Sequence, residues 1–373
     1  MSPFALTPQE RRLQEDVRAF LDAELVDGTY EVGLGMPGAS DPEFSRALGR
    51  QGWLGMALDP AYGGGGRSAV DRLIVVEELL ARGAPVAYHW VADRQTGPTI
   101  QRFGTEVQKR KFLPGIARGE ISFSIGMSEP DSGSDLASLR SRAERDGDLW
   151  RINGTKIWTS GAAEATHLLC LLRTSPERHE GLTQFIVDRD AEGVHVSPIT
   201  FLDGTRHFCE VTFENVFVPD ADRLGQIGSG WAQNTAELAL ERGGVDRWMS
   251  MVPVLERWMA SLDANDVCAV SDLGVITAQL RVLRALSLTI ARSVDGGVSP
   301  VTEAAMLKDV GTRVEQKCVD LVARHRLGPA SPSSPDEQER LLARAMLVSP
   351  SWTIRGGTTE ILRSIIAKGL RWP

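Results

Sequence analysis

Two stretches in the middle of the chain decide how the rest is interpreted: SIGMSEPDSGSDLA, residues 124–137, and INGTKIWTSGA, residues 152–162. The first is dense in Ser, Asp and Gly, and small hydroxyl side chains and exposed amides can hydrogen-bond a flat heterocycle or a pyrophosphate. An ordinary surface loop has the same composition. In the second stretch Trp158 offers an aromatic face, although a single tryptophan is more often part of a core. Each stretch alone leaves both interpretations open.

The sequence on either side changes character twice. Up to about residue 118 the pattern is helical: Thr7-Pro8-Gln9-Glu10 predicts a capping box with proline at the first helical position. Residues 119–225 hold short runs rich in branched and aromatic residues, and Asn153-Gly154 predicts a hairpin turn. From about residue 226 long segments with helical periodicity return.

This order predicts an α+β fold made of three parts. We expect an N-terminal α-helical domain over 1–118, a middle β domain of barrel or sandwich type over 119–225, and a C-terminal α-helical bundle over 226–373. A chain of 373 residues is too long for one ordinary core, which agrees with several packed modules.

Charge and composition limit the kinds of partner. The net charge of −8 argues against a sequence-independent nucleic-acid binder, which needs a basic surface, so we predict no nucleic-acid partner. The four cysteines are far apart with no CxxC spacing, and the histidines form no HExxH pair, so we predict reduced thiols and no metal site.

The N-terminal residues 1–17 lack the basic and apolar segments of a signal peptide. No stretch reaches the 18 uninterrupted apolar residues typical of a membrane span. We therefore expect a cytoplasmic protein without a membrane partner.

Taken together, the two middle stretches closely resemble the flavin-binding β domain of the acyl-CoA dehydrogenases. The resemblance continues along the chain in GWLGMALDPAYGGGG (52–66), in FENVFVP (213–219) followed by GSGW (228–231), and in TIRGGTTEILR (353–363). These look like the family's N-terminal loop, the exit from its β domain and its C-terminal flavin-contacting turn. The resemblance implies an acyl-CoA dehydrogenase fold and an FAD cofactor.

Carried over position by position, the resemblance assigns cofactor contacts to the loop, to the strand after it and to the C-terminal turn. These positions are Ile125, Met127, Ser128, Gly133, Ser134, Trp158, Ser160, Thr358 and Glu360. Ser134 would also line the start of the thioester channel, and Arg242 would bind substrate. Trp158 and Ser160 would cover the isoalloxazine ring, and Thr358 and Glu360 would lie near the flavin phosphates or ribose.

The family's reaction removes a proton beside a thioester and passes a hydride from the next carbon to flavin N5. Many members carry the base, a glutamate, just before the Gly-Thr of the C-terminal turn, where this chain has Gly356. Other members carry it in a Leu-x-x-Glu-Arg segment after the β domain, which LALERGG (238–244) matches at Glu241. Without the family frame, Glu241 would be interpreted as a solvated or salt-bridged helix residue.

A base at Glu241 needs a carboxyl pKa raised from about 4.3 toward about 6–7, which an apolar acyl pocket could impose. Gly356 keeps its backbone N–H, which in the family helps hold the thioester carbonyl as negative charge develops. The resemblance thus assigns proton removal to Glu241 and stabilisation of the thioester carbonyl to the Gly356 N–H.

Two family features are missing. The segment SLDANDVCAVSDLG (261–274) lacks the Arg-x-x-Phe-Gly that reaches a neighbouring subunit's flavin, and RHRLGPAS (324–331) has His325 near the position of a family glutamine. Both departures resemble the heterotetrameric actinobacterial enzymes that act on steroid side chains. Alternatively, this subfamily binds the adenosine end of FAD differently.

The leading hypothesis is FAD-dependent α,β-dehydrogenation of an acyl thioester by a homo-oligomer or a heterotetramer with a sister subunit. The substrate would be an acyl-CoA rather than an acyl group on a carrier protein, and an electron-transfer flavoprotein would accept the electrons. Two alternatives stay open: a non-catalytic or half-site partner subunit, and a flavin-dependent monooxygenase on the same fold.

Overall fold

The computed structural model describes residues 5–371 except 27, 37, 242 and 327, without the side chains of 237–242. The predicted order of helices, sheet and helices is confirmed. The helices are α1 Pro8–Glu24, α2 Pro42–Arg50, α3 Ala69–Arg82, α4 Ala87–Val91, α5 Gly97–Phe103, α6 Glu106–Ala117, α7 Gly230–Glu241, α8 Val252–Ala260, α9 Val267–Asp295, α10 Val301–Arg324, α11 Glu337–Val348 and α12 Thr359–Gly369. The strands are β1 Phe123–Gly126, β2 Arg142–Asp146, β3 Leu149–Ser160, β4 His167–Arg173, β5 Leu182–Asp188, β6 Val194–Ile199, β7 Phe208–Pro219 and β8 Arg223–Leu224.

The start of α1 has the predicted capping box. The Thr7 hydroxyl accepts a hydrogen bond from the Glu10 N–H at 3.2 Å, and the Glu10 carboxylate accepts one from the Thr7 N–H at 2.7 Å. Pro8 occupies the first helical position, where no intrahelical donor is needed. Local sequence therefore determines where this helix begins.

The chain forms two compact units that differ in composition. One contains Met1–Ala39, Ser68–Pro85 and Glu241–Pro373, and is helical; the other contains Ser40–Arg67 and Val86–Leu240, and includes the sheet. The domain boundaries at 118 and 225 stay a prediction.

The unit with the sheet has one mixed eight-stranded sheet in the order β6-β7-β3-β2-β4-β5-β8, with β1 paired to β4. β1 and β2 run parallel to β4, and the other pairs are antiparallel. Its core is built on large side chains such as Trp150 and Phe185, which pack edge to face at 5.2 Å between ring centroids. Buried apolar area of this kind supplies most of the stabilisation.

The predicted turn at Asn153-Gly154 is wrong, because both residues lie inside β3. The hairpin turn between β2 and β3 falls at residues 147–148 instead, where Gly147 has a φ of 62°. Gly154 lies at a register shift against β7, and a Cβ there would come within 2.3 Å of the Ser141 hydroxyl oxygen. The glycine therefore allows a close approach opposite a β-bulge in β7, between Val216 and Phe213, and does not form a turn.

In the helical unit α9 is long and apolar but mostly exposed. Its exposed apolar side chains include Val267, Val270, Val275, Val282 and Val294. Among the described helices, α9 alone has the length and composition to cross a membrane, which is weak evidence because helices of water-soluble bundles meet the same test. The absence of a membrane partner stays a prediction.

All four cysteines are free thiols: Cys170, Cys209 and Cys318 are buried and Cys268 is exposed. Burial raises the pKa of Cys170 and of Cys318 to about 12, so these thiols stay protonated at neutral pH. They behave as small apolar core residues rather than as reactive groups.

Candidate active site

The loop between β1 and β2 is anchored by the side chain of Glu129. Its carboxylate accepts hydrogen bonds from the N–H groups of Arg140 at 2.6 Å and Ser141 at 2.9 Å, and pairs with the Lys156 ammonium at 2.8 Å. The Glu129 backbone also exchanges two hydrogen bonds with Ser132. The two ends of the loop are therefore held together by one buried carboxylate.

Lys156 lies on β3 and is fully buried, which is rare for lysine unless it is paired. Its ammonium also donates to the carbonyl oxygen of Met127 at 3.1 Å. Burial lowers the pKa of Lys156 and Glu129 opposes that shift. Burial alone would raise the pKa of Glu129, but Lys156 and the N–H donors together lower it.

A second contact joins the loop to β3. The Ile157 N–H donates to the carbonyl oxygen of Ser128 at 2.9 Å. Met127 and Ser128 are thus held beside the strand segment that carries Trp158. The structure places the two stretches of sequence that carry the family resemblance side by side.

Trp158 has an unusual backbone conformation. Its φ is 60°, in the left-handed region that bulky side chains rarely adopt, and it lies where the register between β3 and β7 shifts. The residue is 52% exposed, and its ring makes an edge-to-face contact with Phe208 at 6.3 Å between centroids. Such strain costs about 1–3 kcal/mol and tends to occur at functional sites. The bulge presents a large aromatic face to the outside of the strand.

The remaining predicted cofactor positions in this unit differ in exposure. Ser160 is half-buried at the end of β3, and its carbonyl oxygen accepts from the Ser124 hydroxyl at 2.6 Å. Ile125 pairs with Leu169 across β1 and β4, and packs partly buried against the core. Gly133 and Ser134 are exposed in the loop. Their roles in binding stay predictions.

In the helical unit the C-terminal turn places Gly356 in a crowded position. Gly356 has a φ of 67°, and a Cβ built there would lie 3.2 Å from Nη1 of Arg247 and 3.4 Å from Cε of Lys308. Arg247 and Lys308 are both buried, and Arg247 pairs with Asp246 at 3.0 Å. Backbone and surroundings therefore both disfavour a side chain at this position.

The residue before it, Arg355, holds the turn. Its guanidinium pairs with the fully buried Glu315 at 2.7 Å and donates to the Ser250 hydroxyl at 2.8 Å and the Met36 carbonyl at 3.0 Å. Burial raises the pKa of Glu315, with Arg355 opposing the shift. The turn is therefore tied to α10 through a buried ion pair.

Thr358 and Glu360 have local structural partners. Thr358 is the N-cap of α12, with its hydroxyl 3.5 Å from the Ile361 N–H, and Glu360 is exposed in the first turn. Hydrogen bonds from its own N–H and from Thr358 lower the pKa of Glu360. Their predicted places near the flavin phosphates or ribose stay predictions.

The predicted base and its neighbour lie outside the described residues. Glu241 is the last residue of α7, and its side chain is not described; Arg242 is not described at all. His325, near the position of the family glutamine, bonds Asp272 at 2.9 Å and stacks on Trp258 at 5.5 Å. Over the described part of the chain, no cluster of His, Cys, Asp and Glu side chains could hold a metal ion.

Comparison with known proteins agrees with this arrangement. Three family models match in order: the acyl-CoA dehydrogenase N-terminal domain over residues 7–120, the middle domain over 124–216 and the C-terminal domain over 268–371. The chain belongs to the acyl-CoA dehydrogenase family. It is an oxidoreductase of a family of flavoproteins, and the predicted resemblance and fold class are confirmed.

Two curated relatives come from Mycobacterium tuberculosis. The acyl-CoA dehydrogenase FadE29 is 33% identical, with 99% of this chain and 98% of that protein covered, and FadE26 is 33% identical with 96% of each covered. Among solved structures, the Tcur3481-Tcur3483 steroid ACAD is 32% identical with a TM-score of 0.88 and 99% of both chains covered. The ChsE4-ChsE5 complex from Mycobacterium tuberculosis is 32% identical with a TM-score of 0.84 and 99% of both chains covered.

In this acyl-CoA dehydrogenase the buried charges around the predicted site were not predicted from the sequence. Glu129 and Lys156 lie within the two quoted stretches but were not singled out, and Arg247, Lys308 and Arg355 were missed as well. One signal was available for Lys156. It stands two positions after Gly154 and four after the buried Ile152, on the inward-facing side of β3, where a lysine requires a partner.

Proposed function

We propose that this acyl-CoA dehydrogenase removes two hydrogens from the α and β carbons of an acyl-CoA, with FAD as the hydride acceptor. The observation that carries the proposal is Trp158, an exposed aromatic side chain in a strained conformation beside the anchored loop. A protein keeps such strain where a flat ligand compensates for it, and the isoalloxazine ring of FAD is such a ligand.

The residues around Trp158 fit FAD chemically. Met127 and Ser128 supply backbone and hydroxyl groups that are fixed by their contacts to β3, and Ser160 supplies a second hydroxyl beside Trp158. Ile125, Gly133 and Ser134 would complete the loop's contacts in the proposed site, with Ser134 and Arg242 contributing to substrate binding. When bound, FAD supplies the two-electron oxidising power of the reaction.

We propose Glu241 as the base that removes the α proton. Support comes from the alternative position: Gly356 has a left-handed backbone, which strains any other residue, and a Cβ there would make tight contacts of 3.2 Å with Arg247 and 3.4 Å with Lys308. A carboxylate held there would also sit beside two buried cations, which would lower its pKa and weaken it as a base. We therefore assign the role of base to Glu241, the carboxylate of the Leu-x-x-Glu-Arg segment.

The Gly356 N–H is proposed to donate to the thioester carbonyl as negative charge develops on its oxygen. A backbone donor suits this role because it is held by the turn, which the Arg355–Glu315 pair anchors to α10. Thr358 and Glu360 are proposed to lie near the phosphate or ribose part of FAD. An electron-transfer flavoprotein is the proposed electron acceptor, and CoA rather than a carrier protein is the proposed acyl carrier.

The experiment is to purify the chain alone, measure FAD per chain from the visible spectrum, and then add acyl-CoA thioesters without oxygen. The proposal predicts FAD in the protein and bleaching of the oxidised flavin by at least one saturated thioester. A panel of linear, branched and steroid side-chain thioesters would identify the acyl group. Bound FAD that no thioester bleaches, but that consumes oxygen when reduced, would favour the monooxygenase instead.

A second candidate function is that of one subunit in a complex of two unlike chains. Two similar solved structures are described by paired names, Tcur3481-Tcur3483 and ChsE4-ChsE5. In this chain α9 exposes Val275 and Val282, seven residues apart and so on one helical face, to 47% and 67%. A partner helix would cover this apolar face.

Light scattering on the purified chain distinguishes these cases. A yellow homo-oligomer indicates a self-sufficient enzyme. A colourless chain that gains FAD only when co-expressed with a sister chain indicates a shared site.

A further inference from the structure

We propose that Lys156 and Glu129 are a positioning pair for the cofactor. The pair orients and polarises the Met127–Ser128 peptide so that the Ser128 N–H donates to bound FAD and favours its reduced form. This inference rests on the proposed function, because it requires that the chain bind FAD.

The first step is the direction of one peptide group. The Met127 carbonyl accepts from the Lys156 ammonium, which lies inside the protein. In a trans peptide the carbonyl and the following N–H point in opposite directions, so the Ser128 N–H points away from Lys156. Among the residues that the structure describes, none accepts a hydrogen bond from this N–H. It is a donor aimed out of the loop.

The second step is charge. A carbonyl that accepts from an ammonium is polarised, and its peptide becomes a stronger donor at the N–H end. Water does not screen this contact, because the Lys156 side chain is 0% exposed, although Glu129 at 2.8 Å offsets part of the ammonium's charge. The same charge would have little influence from a solvated position.

The buried pair of Lys156 and Glu129 is not explained by stability. A buried ion pair is weak evidence for stability, since apolar residues of similar size often stabilise as well or better. Ile152, four positions before Lys156 on the same side of β3, is apolar and fully buried. Instead of continuing this pattern, Lys156 places its ammonium on Met127, and Glu129 is the counter-ion that allows it to remain charged there. The contact to the loop backbone is the property that an apolar residue could not reproduce.

The consequence is a shift in the redox equilibrium of the bound flavin. Reduced flavin carries more negative charge than oxidised flavin, so a fixed and polarised N–H stabilises the reduced form more. Removing the ammonium should then weaken the preference for the reduced form without removing any group that contacts FAD directly. Lys156 is therefore a positioning residue rather than a catalytic one.

The test is Lys156→Met in the full chain, with the midpoint potential of bound FAD, the FAD dissociation constant and the melting temperature of the apoprotein as readouts. We expect the ratio of reduced to oxidised flavin at fixed potential to fall about tenfold, which for a two-electron couple is about 30 mV. Lys111→Met is the matched control, since Lys111 is half-exposed in the same unit and the change in net charge is equal.

A second variant separates charge from loop support. Lys156→Met leaves Glu129 buried without its counter-ion, so Lys156→Met/Glu129→Gln removes both charges, with the amide oxygen at position 129 left to accept one of the two hydrogen bonds that Arg140 and Ser141 donate. If the ammonium acts on the flavin, the double variant folds and still shows the lowered potential. A wild-type potential and FAD affinity in the double variant would overturn the proposal, as would a failure of both variants to fold, which would assign the pair to the stability of the sheet.

The effect of Lys156→Met on the flavin potential can be measured whether or not the protein dehydrogenates a thioester. Wild-type protein that binds FAD but is not bleached by any thioester contradicts the proposed reaction, and the potential of Lys156→Met can still be measured on it. Wild-type protein that is bleached, with an unchanged potential in Lys156→Met and in the double variant, contradicts only the present inference.

Discussion

The loop 126–141 and the turn 353–359 are both rich in glycine and small polar residues, yet they are held in different ways. In the loop a buried lysine and glutamate bind backbone groups, and a strained, exposed tryptophan lies beside them. In the turn Arg355 pairs with the buried Glu315, and the next residue, Gly356, has a left-handed backbone in a crowded position that disfavours a side chain.

The difference shows how two glycine-rich segments can serve opposite purposes. The loop presents groups outward from a rigid base, which suits the binding of a flat cofactor. The turn has no side chain at Gly356 but keeps the backbone N–H, which suits the binding of a carbonyl oxygen. In the proposed mechanism the base is therefore not in the turn but at Glu241.

The largest expected effect is that of Glu241→Gln. If Glu241 is the base, the rate of flavin bleaching by a saturated acyl-CoA falls about 10²–10⁴-fold, because the amide keeps the shape but takes up no proton. Rapid mixing without oxygen measures this rate. Glu303→Gln, at an exposed glutamate on α10, is the control and should bleach at the wild-type rate. An undiminished rate in Glu241→Gln would remove the base assignment.

Arg355→Met tests whether the turn depends on its buried ion pair. The change leaves the fully buried Glu315 without its counter-ion and should lower the free energy of unfolding by about 3–5 kcal/mol. Chemical denaturation measures it. Arg363→Met, which removes a 61% exposed arginine from the same part of the chain, should change stability by less than about 1 kcal/mol.

The double variant Arg355→Met/Glu315→Gln should recover much of the lost stability, since no uncompensated charge remains. Equal losses in Arg355→Met and Arg363→Met would show that the turn is held by packing alone.

His89 gives the unit with the sheet a dependence on acid that the turn lacks. Burial lowers the pKa of His89 to about 4, below its usual 6.5, with Asp93 opposing the shift, and Nδ1 lies 2.9 Å from the Ser45 hydroxyl. Between pH 6.5 and 4 the unfolded chain binds the proton and the folded chain does not. The contribution of neutral His89 to the free energy of unfolding should therefore be fully present above pH 6.5. It should fall by about 3 kcal/mol as the pH drops to 4.

Denaturation curves over this range would show the full fall in wild type and a fall smaller by about 3 kcal/mol in His89→Gln, where burial still lowers the pKa of His207 to about 4. His195→Gln, at an exposed histidine of the same unit, should keep the wild-type dependence. A parallel fall in His89→Gln would assign the acid sensitivity to other groups.

The smallest expected effect comes from relieving the strain at Trp158. Glycine adopts a φ of 60° without penalty, so Trp158→Gly should be more stable as apoprotein than Trp158→Ala by about 1 kcal/mol. Both variants lose the aromatic face and should bind FAD more weakly than wild type. Thermal denaturation and FAD titration measure the two effects. Wild-type FAD affinity in either variant would show that the ring does not contact the cofactor.

Local rules predicted part of this molecule well. The capping box at Thr7 depends only on four adjacent residues, and it forms as the pattern indicates. Asn153-Gly154 failed as a turn because both residues lie inside β3, where Gly154 allows the close approach of Ser141 from the loop before β2. A contact between residues distant in sequence cannot be predicted from the local sequence pattern.

Within the candidate site, sequence reasoning found the residues that carry the family pattern but not the charges that support them. Glu129 and Lys156 meet across 27 residues, and Arg355 and Glu315 across 40. Neither separation follows from a helical or strand period, so only the fold reveals these pairs. The inward position of Lys156 was the one local clue.

The most direct test of the central claim is exchange of the substrate's α hydrogen. FAD-loaded protein is incubated in heavy water with an acyl-CoA that has α hydrogens but no β hydrogens, and deuterium uptake is followed by mass spectrometry. The account predicts exchange in wild type, none in Glu241→Gln, and none in Glu241→Gln/Gly356→Glu, because Arg247 and Lys308 crowd position 356. Exchange that persists in Glu241→Gln would contradict it.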